Sequence, residues 1–360
     1  MTQSSKITIL FTGYAPVHFV CFKRIYDRLV TIPQVDIFVS GGLRTKTANG
    51  PLYNPRKMYE PFGIPAEKIL PLQKAQNRKF DILFSASSSL LVPLMNCATR
   101  VQLFHGVSFR NRAVKAQNLA YNVLFLIGPH MLRLFNDTGL LPENDPRAIP
   151  IGFPKTDPLL NGELDRNTLL KQYGLTGTRP VLLFAPTGEM HNALETMGKE
   201  VISRLSDTGK YDLLIKPHDH PKNTAIDWQA ELAPLQGDHV RIVTDHDVIP
   251  LLFLADLLIT DASSVANEYT LLNRPIVFLD VPDLIKVTKG KLALIDSEDQ
   301  GRRGGLLVKR PQDIAGAVAK CLAAPESLAK IRKDIAQNLF FNPGCATEAA
   351  IDWFEKRYLD

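Results

Sequence analysis

The stretch Leu254–Asp280, LADLLITDASSVANEYTLLNRPIVFLD, constrains the fold more than any other part of this chain. Asp256–Thr260 is a short apolar run with no polar alternation. Such a run predicts a strand buried on both faces, as in a parallel sheet covered by helices. Asp261-Ala262-Ser263-Ser264 is a polar turn, and Val265–Leu272 continues with helical spacing. Arg274-Pro275 stops that helix, and Ile276–Leu279 is a second buried run. A strand, a turn, a helix and a strand in this order make the repeating unit of a doubly wound α/β domain.

The turn itself reads in two ways. Free backbone N–H groups and the positive end of a helix dipole favour an anion, usually a phosphate, where a helix begins. On that reading Asp261, Ser263 and Ser264 line a phosphate site. Glu268, about one helical turn on, can accept ribose hydroxyls. The plainer alternative is that Asp261 and Ser263 only cap the helix.

The same alternation runs along the rest of the chain. Ile7–Phe11, Val35–Ser40, Phe80–Ser85, Val101–Phe104, Val123–Ile127 and Ala148–Ile151 are predicted strands, with helices at His18–Val30 and Pro129–Phe135 and a short one opened by Ser87-Ser88-Ser89. Gly41–Pro61, rich in Gly, Asn, Pro and Lys, reads as a long loop. A linker with a short helix follows at Lys155–Pro180. The pattern then restarts with strands at Val181–Phe184, Leu213–Ile215, Arg241–Val243 and Leu306–Val308. Three closing helices end the chain at Ile314–Leu322, Leu328–Leu339 and Thr347–Tyr358. The expected organisation is two Rossmann-like halves, residues 1–155 and 156–340, with a cleft between them. Residues 341–360 form a closing helix packing back across that cleft.

Composition enters as a filter. A chain of 360 residues can bury two ordinary cores, and 45% hydrophobic with 22% charged residues is globular. Lys+Arg 42 against Asp+Glu 37 leaves +5, spread along the chain, which suits an anionic substrate or membrane face but requires no nucleic acid. Cys21, Cys97, Cys321 and Cys345 lie far apart without CxxC spacing, which argues for free thiols and against zinc. The apolar run after MTQSSK is too short for a signal peptide, and no run approaches the length needed to span a bilayer. A cytoplasmic protein is the expectation, open to peripheral contact with an anionic membrane face, and no metal or cofactor is called for.

Polar residues at the carboxyl ends of the predicted strands are the chemical candidates, because open α/β sheets bind ligands at that edge. His105-Gly106 follows VQLF directly. An imidazole there can act as general base on a hydroxyl, with glycine letting the backbone turn close to a ligand; the plainer reading is a histidine satisfied by backbone. Thr187 follows VLLF, and Lys216 and His218 follow LLI, where they suit an anion better than a metal. His18 opens the first helix and reads as structural. His130, His191, His239 and His246 carry no supporting context. No P-loop, GxSxG or complete GxGxxG occurs.

Taken in order, QLFHG (Gln102–Gly106), APT (Ala185–Thr187), IKPH (Ile215–His218) and TDASSVANEYTLLNRPIVFLD (Thr260–Asp280) resemble the CDP-glycerol glycerophosphotransferase family. That family makes teichoic acids and related poly(alditol phosphate) glycans. Phe341–Glu348 is similar to its closing segment. The resemblance implies a glycosyltransferase-B fold and a CDP-glycerol or related CDP-alditol donor held mainly by the second half. It further implies transfer of an alditol phosphate to the hydroxyl of a glycan or lipid-linked acceptor, with release of CMP. It maps the family's two histidines to His105 and His218, its phosphate-binding serines to Ser263 and Ser264, and its acidic helix residue to Glu268. Arg110 and Arg112, just past His105, are then expected on the acceptor's approach, where an anionic acceptor or membrane would be drawn. Two other functions remain on such a fold: a nucleotide-sugar glycosyltransferase or UDP-sugar epimerase, and a nucleotide-binding protein without catalysis.

Overall fold

The computed structural model describes residues 6–48, 50–88, 90–107, 113–219, 221–289 and 302–360. The chain divides into two compact units. The first takes in the described residues of Met1–Val107, Arg112–Asp157 and Leu339–Asp360, and the second those of Pro158–Asn338.

In the first unit β1 (Ile7–Gly13), β2 (Val35–Gly41), the hairpin β3 (Leu43–Thr47) and β4 (Gly50–Asn54), β5 (Phe80–Ser85), β6 (Cys97–Leu103), β7 (Val123–Leu126) and β8 (Ala148–Pro150) follow in turn. Six of them form a parallel sheet in the order β2-β1-β5-β6-β7-β8. Strand alternation sends neighbouring apolar residues to opposite faces. Ile9 and Phe11 pack with Phe19, Phe22 and Ile25 of the first helix, Pro16–Leu29, whereas Leu10 packs with Phe38, Phe80 and Leu83 on the other side. Both faces are therefore covered, which is why β1 reads as continuously apolar.

The closing helix Ala346–Tyr358 completes the first of these cores with Ala350, Ile351 and Phe354. It is capped from far away in sequence. Asp157 accepts from Ala346 N at 3.0 Å and Thr347 N at 2.7 Å, satisfying two of the donors every helix start leaves open.

The second unit holds β9 (Val181–Phe184), β10 (Asp212–Ile215), β11 (Val240–Ile242), β12 (Leu257–Thr260), β13 (Ile276–Leu279) and β14 (Leu306–Val308). Their order, β11-β10-β9-β12-β13-β14, reverses direction between β9 and β12. That is the dinucleotide-domain order, and ligands bind outside the strand ends at its reversal point. Leu257 and Ile259 face one core and Leu258 the other.

Two expectations fail locally. Gly41–Pro61 is no loop: it carries the β3–β4 hairpin and a helix at Pro55–Tyr59. The hairpin is largely polar, and Leu52 is 64% exposed, so no apolar alternation marked it. Gly42 joins it to β2 with φ +108°, where a Cβ would meet Pro55 N at 2.2 Å. Ser87 and Ser88 open no helix either. They lie in a bend tied down by long-range hydrogen bonds, described next.

Candidate active site

In the first unit the carboxyl ends of β1, β5 and β6 meet around His105. Gln102, buried in β6, donates from Nε2 to the Ser85 carbonyl at 3.1 Å and the Leu103 carbonyl at 2.6 Å. Tyr121 donates its hydroxyl to the Ser87 carbonyl at 2.5 Å. The segment 85–87 is thereby fixed, and its central carbonyl, Ala86 O, lies 3.1 Å from His105 Nδ1. A carbonyl only accepts, so Nδ1 carries the proton and Nε2 of the neutral ring keeps its lone pair.

Desolvation lowers the His105 pKa below the ordinary histidine value; the Ala86 carbonyl opposes this, and the charges of Lys115 and Lys155 add to it. The residue nevertheless keeps an exposed surface and is not sealed in the core. Gly106 follows, half-buried. Arg110 and Arg112 lie outside the described residues.

His18 is the neighbour that sequence reading set aside. It is 3% exposed, and its ring centroid stands 5.1 Å from that of His105. No local pattern marks it, because the contact joins the first helix to the end of β6.

In the second unit Asp261 follows β12 and is fully buried. Its carboxylate accepts from Thr187 N at 2.8 Å and Ala193 N at 2.9 Å, tying the segment after β9 to the end of β12. Burial raises its pKa to about 6, against the lowering effect of those backbone bonds. Asp261 is thus turned toward the neighbouring loop and does not cap the helix. Ser264, at the cap position of the five-residue helix Val265–Tyr269, makes no side-chain cap hydrogen bond. Neither Asp261 nor Ser264 therefore caps this helix with its side chain. Ser263 is 6% exposed and Glu268 3%.

At the end of β10, Lys216 is 7% exposed and donates to the Pro217 carbonyl at 3.1 Å. It is also ion-paired with Asp219. The other Asp219 oxygen lies 3.0 Å from His246 Nδ1. Desolvation would raise the Asp219 pKa, but Lys216 and then His246 outweigh it and hold the carboxyl below its usual range. Asp219, shared with His246, thus balances part of the Lys216 charge. His218 is exposed between these partners. Asp219 and His246 were not legible as a pair, since 27 residues and a strand separate them. Among the described residues no group of three or more His, Cys, Asp or Glu is placed to hold a metal ion.

The sequence profile of the CDP-glycerol:poly(glycerophosphate) glycerophosphotransferases matches residues 102–343, more than half of the chain. The teichoic acid glycerol-phosphate primase of Bacillus subtilis (strain 168) is 29% identical over 184 residues, 49% of this chain and 44% of that protein. The chain thus spans less than half the length of this relative. Among solved structures, the wall teichoic acid polymerase TagF superposes with a TM-score of 0.70 at 17% identity, covering 97% of this chain and 89% of the other. A UDP-N-acetylglucosamine 2-epimerase superposes with a TM-score of 0.61 at 14% identity, covering 99% and 97%. With its two parallel-sheet units, the fold is of the glycosyltransferase-B class.

Proposed function

Because this chain belongs to the CDP-glycerol:poly(glycerophosphate) glycerophosphotransferase family, we propose that it transfers glycerol phosphate, or a similar alditol phosphate, from a CDP-alditol to an acceptor hydroxyl. The observation that carries the reading is the family match itself. It encloses His105, Thr187, Lys216, His218, Asp261, Ser263, Ser264 and Glu268 in one span.

In the proposed step the acceptor oxygen attacks the phosphorus that bears the alditol. The bond from that phosphorus to the bridging oxygen breaks, and CMP leaves with the bonding pair. The acceptor proton passes to Nε2 of His105, the nitrogen left unprotonated by the Ala86 contact. On the donor side the Ser263–Ser264 turn, Lys216 and His218 stabilise charge on the diphosphate. Asp261 shapes that side by holding Thr187 and Ala193 in place. Glu268 takes the ribose hydroxyls.

The acceptor in this reading is a glycan or lipid-linked hydroxyl at an anionic membrane, approached over Arg110, Arg112 and Lys115. Among the described residues no helix is long and apolar enough to cross a membrane. A peripheral enzyme on the inner face of the membrane fits such an acceptor.

Turnover of CDP-glycerol with a polyol phosphate acceptor tests the proposal. CMP release is expected, and stabilisation by CDP exceeding that by UDP in thermal unfolding. A ligand at about 100 times its Kd adds about 2.7 kcal/mol. His105→Ala is expected to lower kcat by about 10²- to 10⁴-fold with donor affinity kept. Release of UMP or UDP from UDP-sugars, with no CMP from CDP-glycerol, would replace this reading with the sugar-nucleotide one.

A further inference from the structure

His18 is a buried imidazole to which the mechanism above gives no task. Its surroundings are built to hold it in one place. The Tyr14 backbone N–H donates to His18 Nδ1 at 3.3 Å. The Tyr14 ring meets the imidazole edge-on at a centroid distance of 4.3 Å, and the Arg44 guanidinium covers that ring at 4.3 Å. Residue 13 is glycine where a Cβ would lie 2.8 Å from His18 Cβ. A larger residue there would push the imidazole aside. The His18 ring lies beside that of His105, the two planes inclined by 38°.

We propose that His18 is a positioning residue for His105: its clamped ring forms a wall on one side of His105 and keeps that imidazole oriented on the acceptor hydroxyl. Among the described residues His105 is hydrogen-bonded at one nitrogen, Nδ1, to Ala86 O. One hydrogen bond fixes the tautomer but leaves the ring free to swing about that axis, and a wall removes this freedom. Small misplacements of a reacting group cost about 100-fold in rate. The same wall excludes water from one side of His105. Water entering on that side would relieve the desolvation that disfavours the imidazolium.

Charged and titratable groups near the pair include Arg44 and Tyr14 on the His18 side and Lys115 and Lys155 on the His105 side. Lys115 and Lys155 both oppose a proton on His105. Because the base form exists only above the His105 pKa, activity rises with pH through that value. Loss of the wall moves this rise to higher pH.

The inference rests on His105 being the base, and the test separates the two. His18→Asn keeps an acceptor for the Tyr14 N–H but removes the ring; His18→Phe keeps a ring and removes the acceptor. In the full-length protein, the His105 titration is followed by NMR of its ring protons, assigned with His105→Gln, and CMP release from CDP-glycerol is followed in parallel. For His18→Asn the titration midpoint is expected to rise toward about 6.5, the ordinary histidine value. Its kcat is expected to fall about 10- to 100-fold at unchanged donor KM. His18→Phe is expected to lie near wild type in both. A role in folding alone would reduce the folded fraction without moving the midpoint. An unmoved midpoint in His18→Asn, or His18→Phe no nearer wild type than His18→Asn, overturns the proposal. Turnover unaffected by His105→Gln would instead overturn the assignment of the base, while the midpoints still decide whether His18 forms the wall.

Discussion

Asp261 shows how one buried carboxylate can tie two loops together and make stability depend on pH. Its carboxylate is fully buried, and two backbone N–H groups from another loop depend on it. Its folded pKa, about 6, lies above the unfolded carboxyl value. The folded state therefore holds its proton more tightly, and the linked stability is greatest below about pH 4. It declines as pH rises to about 6 and stays constant above, for a change of about 3 kcal/mol. Urea midpoints measured from pH 4 to 8 are expected to lose this component in Asp261→Asn. That variant also puts an amide N–H against one of the two backbone donors. A buried donor left unpaired costs about 1–3 kcal/mol, so the midpoint should fall at every pH. Equal pH dependence in the two proteins would show that Asp261 titrates elsewhere.

At the scale of elements, the closing helix is the clearest case of an element whose place is decided from outside. Its own sequence supplies no N-cap: Cys345 occupies that position without a side-chain cap bond, and Asp157 does the capping instead. Its apolar side, Ala350, Ile351 and Phe354, enters the core built on β1 and the first helix. Trp353 stands edge-on to Phe125 at 5.0 Å, and the Tyr358 hydroxyl donates to Thr99 Oγ1 at 2.5 Å. Phe354→Ala is expected to cost about 3–5 kcal/mol, as for large core deletions. Asp157→Ala is expected to cost about 0.5–2 kcal/mol, as for a lost cap. Chemical denaturation followed by tryptophan fluorescence reads both, because Trp353 reports on this helix and Trp228 on the second unit. A transition shared equally by the two tryptophans and unmoved by Phe354→Ala would mean that the helix contributes nothing to the first core.

For the molecule as a whole, the two units differ in how their chain segments are drawn. The described residues of Pro158–Asn338 supply the second unit's sheet and both its cores. The first unit needs Leu339–Asp360 as well as the N-terminal segments. A polypeptide of residues 158–338 is accordingly expected to unfold cooperatively on its own, whereas residues 1–157 alone leave open the face that Phe354 covers. Circular dichroism melts of the two pieces check this; a cooperative melt of 1–157 equal to that of the intact unit would overturn it. The strands were legible because a strand buried on both faces has one composition whatever its partners, and VLLF, DLLIT and IVFL have it. The strand-end positions of His105, Lys216 and Asp261 were legible too, since the residue after such a run must lie at the sheet edge. The β3–β4 hairpin was not, because an exposed polar ribbon carries no apolar period. The wall that His18 sets beside His105, the sharing of Asp219 between Lys216 and His246, and the cap that Asp157 places on a helix 189 residues away were decided by the tertiary structure alone. Burial on both faces is a property a segment carries in its own composition, whereas a contact between side chains from distant segments exists only once the sheets have brought their ends together.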